Sequence, residues 1–350
     1  MEMPRTRANS ESPRNRQSPR SSVRGWGTAG GIAALSAVAG YGTWAATRRK
    51  GRLSGFRSTE GEQQYLRAYQ DVLEEWPAAY EEIAVETLFG STHVLVSGDT
   101  EAPPLVLLHA TGTSSTGWLA NVGPLSARCR VFAVDIVGEA GKSHQSKLLR
   151  GRKDCVQWLS SVLDGLGLER PSLVGWSFGG WAALAFTIDR PERVDKTVLL
   201  APFGSLAPYS RSILAFLKVG PYLPWGPPGG LALRMMAPGY RFDERFAKQF
   251  ILGGRYFKPA DPRVSVFPRP FTTKELSSIQ VPVLLMVGDR ESAFDPRIAV
   301  SQARNFIPGA QTHLVPGVGH MIAMEAQAVV NHAILGFLQD LPLEGLARTE

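Results

Sequence analysis

Two stretches of this chain, Leu105-Val106-Leu107-Leu108 and Val283-Leu284-Leu285-Met286-Val287, are apolar at every position. A strand with one face in water alternates apolar and polar residues, whereas a strand covered on both faces does not. Continuous runs of this length therefore predict strands in the middle of a covered sheet. Similar candidates lie at Ile83 to Leu88, His93 to Ser97, Val131 to Ile136, Ser172 to Trp176, Thr197 to Leu200 and Thr312 to Val315. Helical patterns fall between most of them, as at Lys153 to Leu166, Phe178 to Asp189, Pro296 to Phe306 and Met321 to Leu338. Alternation of this kind predicts an α/β fold with a mostly parallel central sheet flanked by helices. The first two or three strands read as an antiparallel start.

The alternation fails between Pro202 and about Ile279. That stretch holds Pro221, Pro224, Pro227 and Pro228 together with Phe203, Tyr209, Phe216, Trp225, Tyr240 and Phe250. A connection this long inside one domain is usually functional. It is read as a helical cap over about 203–278, inserted after the sixth strand of a domain spanning 61–345.

The chain has 350 residues and a net charge of +7, unevenly spread. Residues 1–57 carry eleven Lys or Arg against Glu2 and Glu11, and the rest is close to neutral. The basic balance therefore belongs to a tail and gives no reason to expect nucleic-acid binding. Residues 1–25 read as a disordered basic tail. Residues 26–46 carry no charge and would span about 31 Å as a helix, close to a bilayer core. Five glycines and seven alanines weaken that reading. A membrane anchor, a cleaved signal and an unanchored tail, with a cytoplasmic protein, all stay open; 47–60 reads as a linker. Cys129 and Cys155 form no C-x-x-C pattern, so a zinc site of that type is not expected, and both read as core residues. Nothing in the sequence implies a metal or organic cofactor.

The chemistry centres on Gly175-Trp176-Ser177-Phe178-Gly179-Gly180. A nucleophilic serine at the top of a sheet needs a very tight strand-to-helix turn, and small residues two before and two after it make room. Pro171 to Val174 reads as the strand leading in, and Trp181 to Phe186 as the helix leading out. A serine hydroxyl is a poor nucleophile at neutral pH, so it needs a base, and the base needs an orienting acid. His320, on the Gly-rich loop Val315 to Gly319, is the expected base. The acid is expected on the loop Gly288 to Pro296. Glu291 is best placed, Asp295 before Pro296 is the alternative with the look of a helix cap, and Asp289 sits close to the strand end. The N–H groups of Phe178 and Thr111 are the expected oxyanion donors. His109 is read as a prop for the loop that carries Thr111.

With these motifs, the chain from about Tyr65 onward resembles the α/β-hydrolase superfamily, and within it the capped bacterial carboxylesterase-like serine hydrolases. The matching features are the His109 loop with Trp118, the Asp135 to Gly138 turn, the Ser177 elbow, Gly288-x-x-Glu291 and Gly319-His320. The resemblance implies hydrolysis of a small-molecule ester through an acyl-enzyme. The same constellation on a thioester, lactone or carbon–carbon bond, and a non-catalytic binding protein on this fold, stay open. Three features depart from the pattern: His109-Ala110 where His-Gly is usual, Glu where Asp is usual, and a longer loop over Gly138 to Ser143. That loop ends in Gly-Lys-Ser, but a phosphate loop requires Gly at 136, where Ile136 stands.

Overall fold

The continuous apolar runs do form central strands. In a computed structural model, which describes residues 53–219, 229–260 and 265–341, eight strands make up most of one nine-stranded sheet. They are β1 (Tyr80–Thr87), β2 (Gly90–Ser97), β3 (Pro104–Leu108), β4 (Arg130–Val134), β5 (Ser172–Trp176), β6 (Thr197–Leu200), β7 (Val283–Gly288) and β8 (Gln311–Val315). Their order across the sheet is β1-β2-β4-β3-β5-β6-β7-β8. The ninth, His144–Gln145, pairs with the start of β2. β1 and β2 are antiparallel, as is β2 with β4, and all later pairs are parallel. β5 and β7 are buried at every position.

Chain direction across the sheet reverses between β3 and β5. From β3 the chain moves outward to β4, and from β5 it moves the other way to β6. The loops leaving their two ends diverge and leave a crevice at the carboxyl edge, where ligands bind in open α/β sheets. His109 follows β3 and Ser177 follows β5, so the two loops of chemical interest flank that crevice.

Helices cover both faces: α1 (Thr59–Leu73), α2 (Leu119–Ser126), α3 (Arg152–Gly165) and α4 (Phe178–Asp189). The stretch between β6 and β7 holds α5 (Arg211–Val219), α6 (Gly229–Met236), α7 (Glu244–Tyr256) and the short α8 (Thr273–Ser277). α9 (Pro296–Phe306) joins β7 to β8. The helix expected over Met321 to Leu338 is two helices, α10 (Ile322–Glu325) and α11 (Gln327–Leu338), parted at Ala326 with φ −125° and ψ 40°.

The expected linker over 47–60 also needs correcting at its end. Ser58 accepts the Gly61 N–H and caps α1, which begins at Thr59, and Gly55–Phe56 pairs antiparallel with Phe257–Lys258. The tail, the uncharged run 26–46 and the first part of that linker lie outside the described residues. Among the described residues, no helix is long and apolar enough to cross a membrane.

Candidate active site

The elbow after β5 is as tight as its sequence demands. Ser177 has φ 55° and ψ −115°, a left-handed φ that a side chain rarely adopts. Strain of this kind persists only where the surroundings over-determine it. Here the Ser177 N–H donates to Leu200 O at 2.9 Å, and its carbonyl accepts Trp181 N–H and Phe203 N–H, both at 3.1 Å. A Cβ on Gly175 would stand 2.3 Å from Gly179 O, and one on Gly179 would stand 2.1 Å from Leu108 O. Neither position can hold a side chain without moving the backbone, which is the physical content of the two glycines.

The turn aims Ser177 Oγ at His320. Oγ lies 2.8 Å from Nε2, and Nδ1 on the far side of the ring lies 2.8 Å from Glu291 Oε2. All three residues are buried. The other Glu291 oxygen accepts Ala293 N–H at 2.7 Å, which fixes the carboxylate plane. Burial by itself would push the His320 imidazole down, but the charge and hydrogen bond of Glu291, with the charge of Glu325, hold it above its ordinary value. The competing acids are engaged elsewhere. Asp295 accepts Arg297 N–H at 2.9 Å and Ile298 N–H at 3.4 Å, as the N-cap of α9. Asp289 accepts Gly317 N–H at 2.7 Å.

The loop after β3 lies against the elbow, with Gly179 N–H donating to His109 O at 3.2 Å. Ile136 N–H donates to His109 Nε2 at 2.9 Å, so the ring proton is on Nδ1, which donates to Ala110 O at 2.9 Å. The same carbonyl accepts Thr113 N–H at 3.1 Å and Thr113 Oγ1 at 2.8 Å. A trans peptide points its C=O and N–H in opposite directions. Holding Ala110 C=O from three donors therefore fixes the direction of the Thr111 N–H. Among the described residues, neither Thr111 N–H nor Phe178 N–H donates to a protein acceptor. His109 is the prop its position implied, and burial holds it neutral.

Several contacts of the site carried no sequence signal. Glu139, on the longer loop after β4, accepts Gly112 N–H at 3.0 Å. The residue is half-buried, and burial pushes its carboxyl up to about 7 against the Gly112 N–H and the Thr111 hydroxyl. Gln249 of α7 accepts Thr116 Oγ1 at 2.8 Å and donates to Ser114 Oγ at 3.0 Å and Tyr65 Oη at 3.1 Å. Asp135 stands at the end of a buried polar chain. It accepts Ser115 N–H at 2.7 Å and Tyr69 Oη at 3.2 Å and faces His93 Nδ1 at 3.1 Å. Despite burial, His93 holds its carboxyl far below the usual carboxylate range.

Residues 105–333 match the family described as the alpha/beta hydrolase family. The chain belongs to the alpha/beta hydrolase family. It is 34% identical to the uncharacterized carboxylesterase nap of Bacillus subtilis (strain 168) over 283 residues, 78% of this chain and 91% of that protein. It is 33% identical to carboxylesterase YbfK of the same strain over 293 residues, 81% of this chain and 96% of that one. The crystal structure of naproxen esterase from Bacillus subtilis superposes with a TM-score of 0.76 at 33% identity, covering 81% of this chain and 99% of that chain. This member of the family is therefore carboxylesterase-like over nearly the whole length of those relatives.

Proposed function

We propose that this protein hydrolyses carboxylic esters of apolar small molecules through an acyl-enzyme on Ser177. The observation that carries the reading is the unbroken line Ser177 Oγ, His320, Glu291, with 2.8 Å at each junction. His320 Nε2 takes the Ser177 proton as Oγ attacks the acyl carbonyl. Glu291 holds the Nδ1 proton and the ring orientation, and its charge stabilises the imidazolium that forms. The tetrahedral oxyanion is received by the N–H groups of Phe178 and Thr111, and both donors are free to take it. The imidazolium then gives its proton to the leaving alkoxide. Water, deprotonated by the same His320, attacks the acyl carbon and restores the Ser177 hydroxyl.

Phe203 and Phe294 support an apolar acyl group. Their rings stand edge-on to His320 at centroid separations of 6.2 and 6.5 Å. The β6–β7 insertion supports the same reading as a cap: it carries Met236 and Gln249, which bond the His320 loop and the loop after β3.

The test is labelling of the purified protein with a fluorophosphonate probe, with Ser177→Ala as control, followed by a p-nitrophenyl ester series of rising acyl length. Labelling that vanishes in the variant supports the nucleophile, and the preferred acyl length sizes the acyl site. A folded protein that takes no label and cleaves no ester ends the hydrolase reading and leaves a binding protein on this fold.

A further inference from the structure

The backbone around His320 is held at three successive N–H groups. Gly319 N–H donates to Glu325 Oε2 at 3.1 Å, and Met321 N–H donates to Glu325 Oε1 at 3.0 Å. Between them, His320 N–H donates to Met236 O at 2.8 Å. The His320 carbonyl accepts the Trp176 indole N–H at 3.0 Å. One carboxylate thus grips the peptides on either side of the imidazole, with one oxygen for each. An amide in its place would present an NH2 donor where one of the two oxygens stands, so it could not give each N–H an acceptor of its own.

This carboxylate is also a charge beside the imidazole. The titratable groups acting on His320 are Glu291, by bond and charge, and Glu325, by charge alone. Those acting on Glu325 are Glu291 and His320, and the Glu325 charge in turn acts on Tyr240 of the insertion. Burial and the Glu291 charge push the Glu325 carboxyl up, while the two N–H donors and His320 favour its ionised form. Glu291 alone would complete a serine hydrolase triad, so a second carboxylate, on the helix that follows the His320 loop, calls for its own account.

We propose that Glu325 is a positioning residue for His320, holding the loop on both sides of the ring and placing a second negative charge where the imidazolium forms. This rests on the reading of His320 as general base. A carboxylate in this place does two separable things. The two bonds keep Nε2 in line with Ser177 Oγ, and the charge lowers the energy of the imidazolium in the transition state.

Two variants separate these effects. Glu325→Gln keeps size and one acceptor oxygen but removes the charge together with one acceptor, so the charge is read from the pH limb and not from kcat. Glu325→Asp keeps the charge but is too short to reach both N–H groups. For Glu325→Gln, the acid limb of the kcat/KM–pH profile should move down by about half a pH unit or more, because the neutral imidazole is no longer opposed by that charge. For Glu325→Asp the limb should stay in place, with kcat lower by about tenfold at nearly constant KM. A wild-type limb and wild-type kcat in both variants would overturn the proposal. If Glu325→Gln does not fold, Glu325→Asp decides by kcat: a tenfold fall supports the positioning role, and unchanged turnover removes it. His320→Ala is measured alongside. An inactive His320→Ala with an unaffected Glu325 pair sinks this proposal alone, whereas an active His320→Ala sinks the base assignment beneath it.

Discussion

The Glu291 carboxylate stands 2.8 Å from His320 Nδ1, whereas Asp295, four residues further on, caps helix α9. The distinction has a kinetic consequence. Glu291→Gln should lower kcat by about 10³–10⁴-fold, because the ring loses both its orienting acceptor and the charge opposite the imidazolium. Asp295→Ala should leave kcat within about twofold and remove about 1 kcal/mol of stability, the usual value of an N-cap. Steady-state kinetics with a p-nitrophenyl ester and a denaturation curve for each variant check both halves. Reversed effects would move the acid to Asp295.

His320 is held above the ordinary imidazole value of 6.5 by Glu291 and Glu325, in spite of burial. As the proposed base, His320 must be neutral to accept the Ser177 proton. Activity should therefore be lost as pH falls, and lost earlier than an unperturbed histidine would dictate. The acid limb of kcat/KM, which reports the free enzyme, should show an apparent pKa above 6.5. An apparent pKa below that value would mean that burial outweighs the two carboxylates.

Glu139 carries a raised pKa of about 7. The sign follows from linkage. A carboxyl with a folded pKa above its unfolded value contributes most stability below the unfolded pKa and loses it as pH rises through the folded one. Above about pH 7 the folded protein carries the ionised form at a cost that the unfolded chain does not bear. Glu139→Gln, which keeps an acceptor for Gly112 N–H, should melt higher than wild type at pH 8.5, with the gap closing toward pH 5. Melting curves at several pH values measure this directly. An equal Tm difference at all pH values would show that Glu139 does not titrate between folded and unfolded states in this range.

Gln249 joins α7 to the loop after β3 through three buried hydrogen bonds. Leu in its place is close in volume but leaves Thr116, Ser114 and Tyr65 each short of one partner. Gln249→Leu should destabilise by about 1–3 kcal/mol, seen as a lower denaturation midpoint at unchanged m-value. A midpoint equal to that of wild type would mean that the remaining Ser114–Thr116 and Tyr65–Ala140 bonds satisfy the network on their own.

What could be read beforehand follows from how local each signal is. The buried strands announce themselves because every residue in them must be apolar, and the Ser177 elbow because sterics admit only glycine at 175 and 179. The Ser, acid, His order needs only the chain direction. Choosing Glu291 over Asp295 also rests on local logic, since a carboxylate directly before Pro296 suits a helix start. The contacts of Glu139, Glu325 and Gln249 stayed hidden. Each acts across space: Glu139 on a glycine 27 positions earlier, and Gln249 on Thr116, 133 positions away. Glu325 is close in sequence to His320, but nothing in a helix-forming stretch tells that its carboxylate folds back over the preceding loop. The break at Ala326 was illegible for the same reason, because Met321 to Leu338 reads as one continuous helical pattern.

The hydrogen bond from His320 N–H to Met236 O has a bearing on engineering. The insertion is the obvious segment to exchange when a different acyl or alcohol group is wanted, and such exchanges are judged by the shape of the cavity they create. In this protein a transplanted segment must also present a carbonyl at the place of Met236, and must leave Gly319 uncrowded, since a Cβ there would stand 2.5 Å from that oxygen. A graft that ignores this would change selectivity and turnover together, and the loss of turnover would be misread as a poor fit for the new substrate.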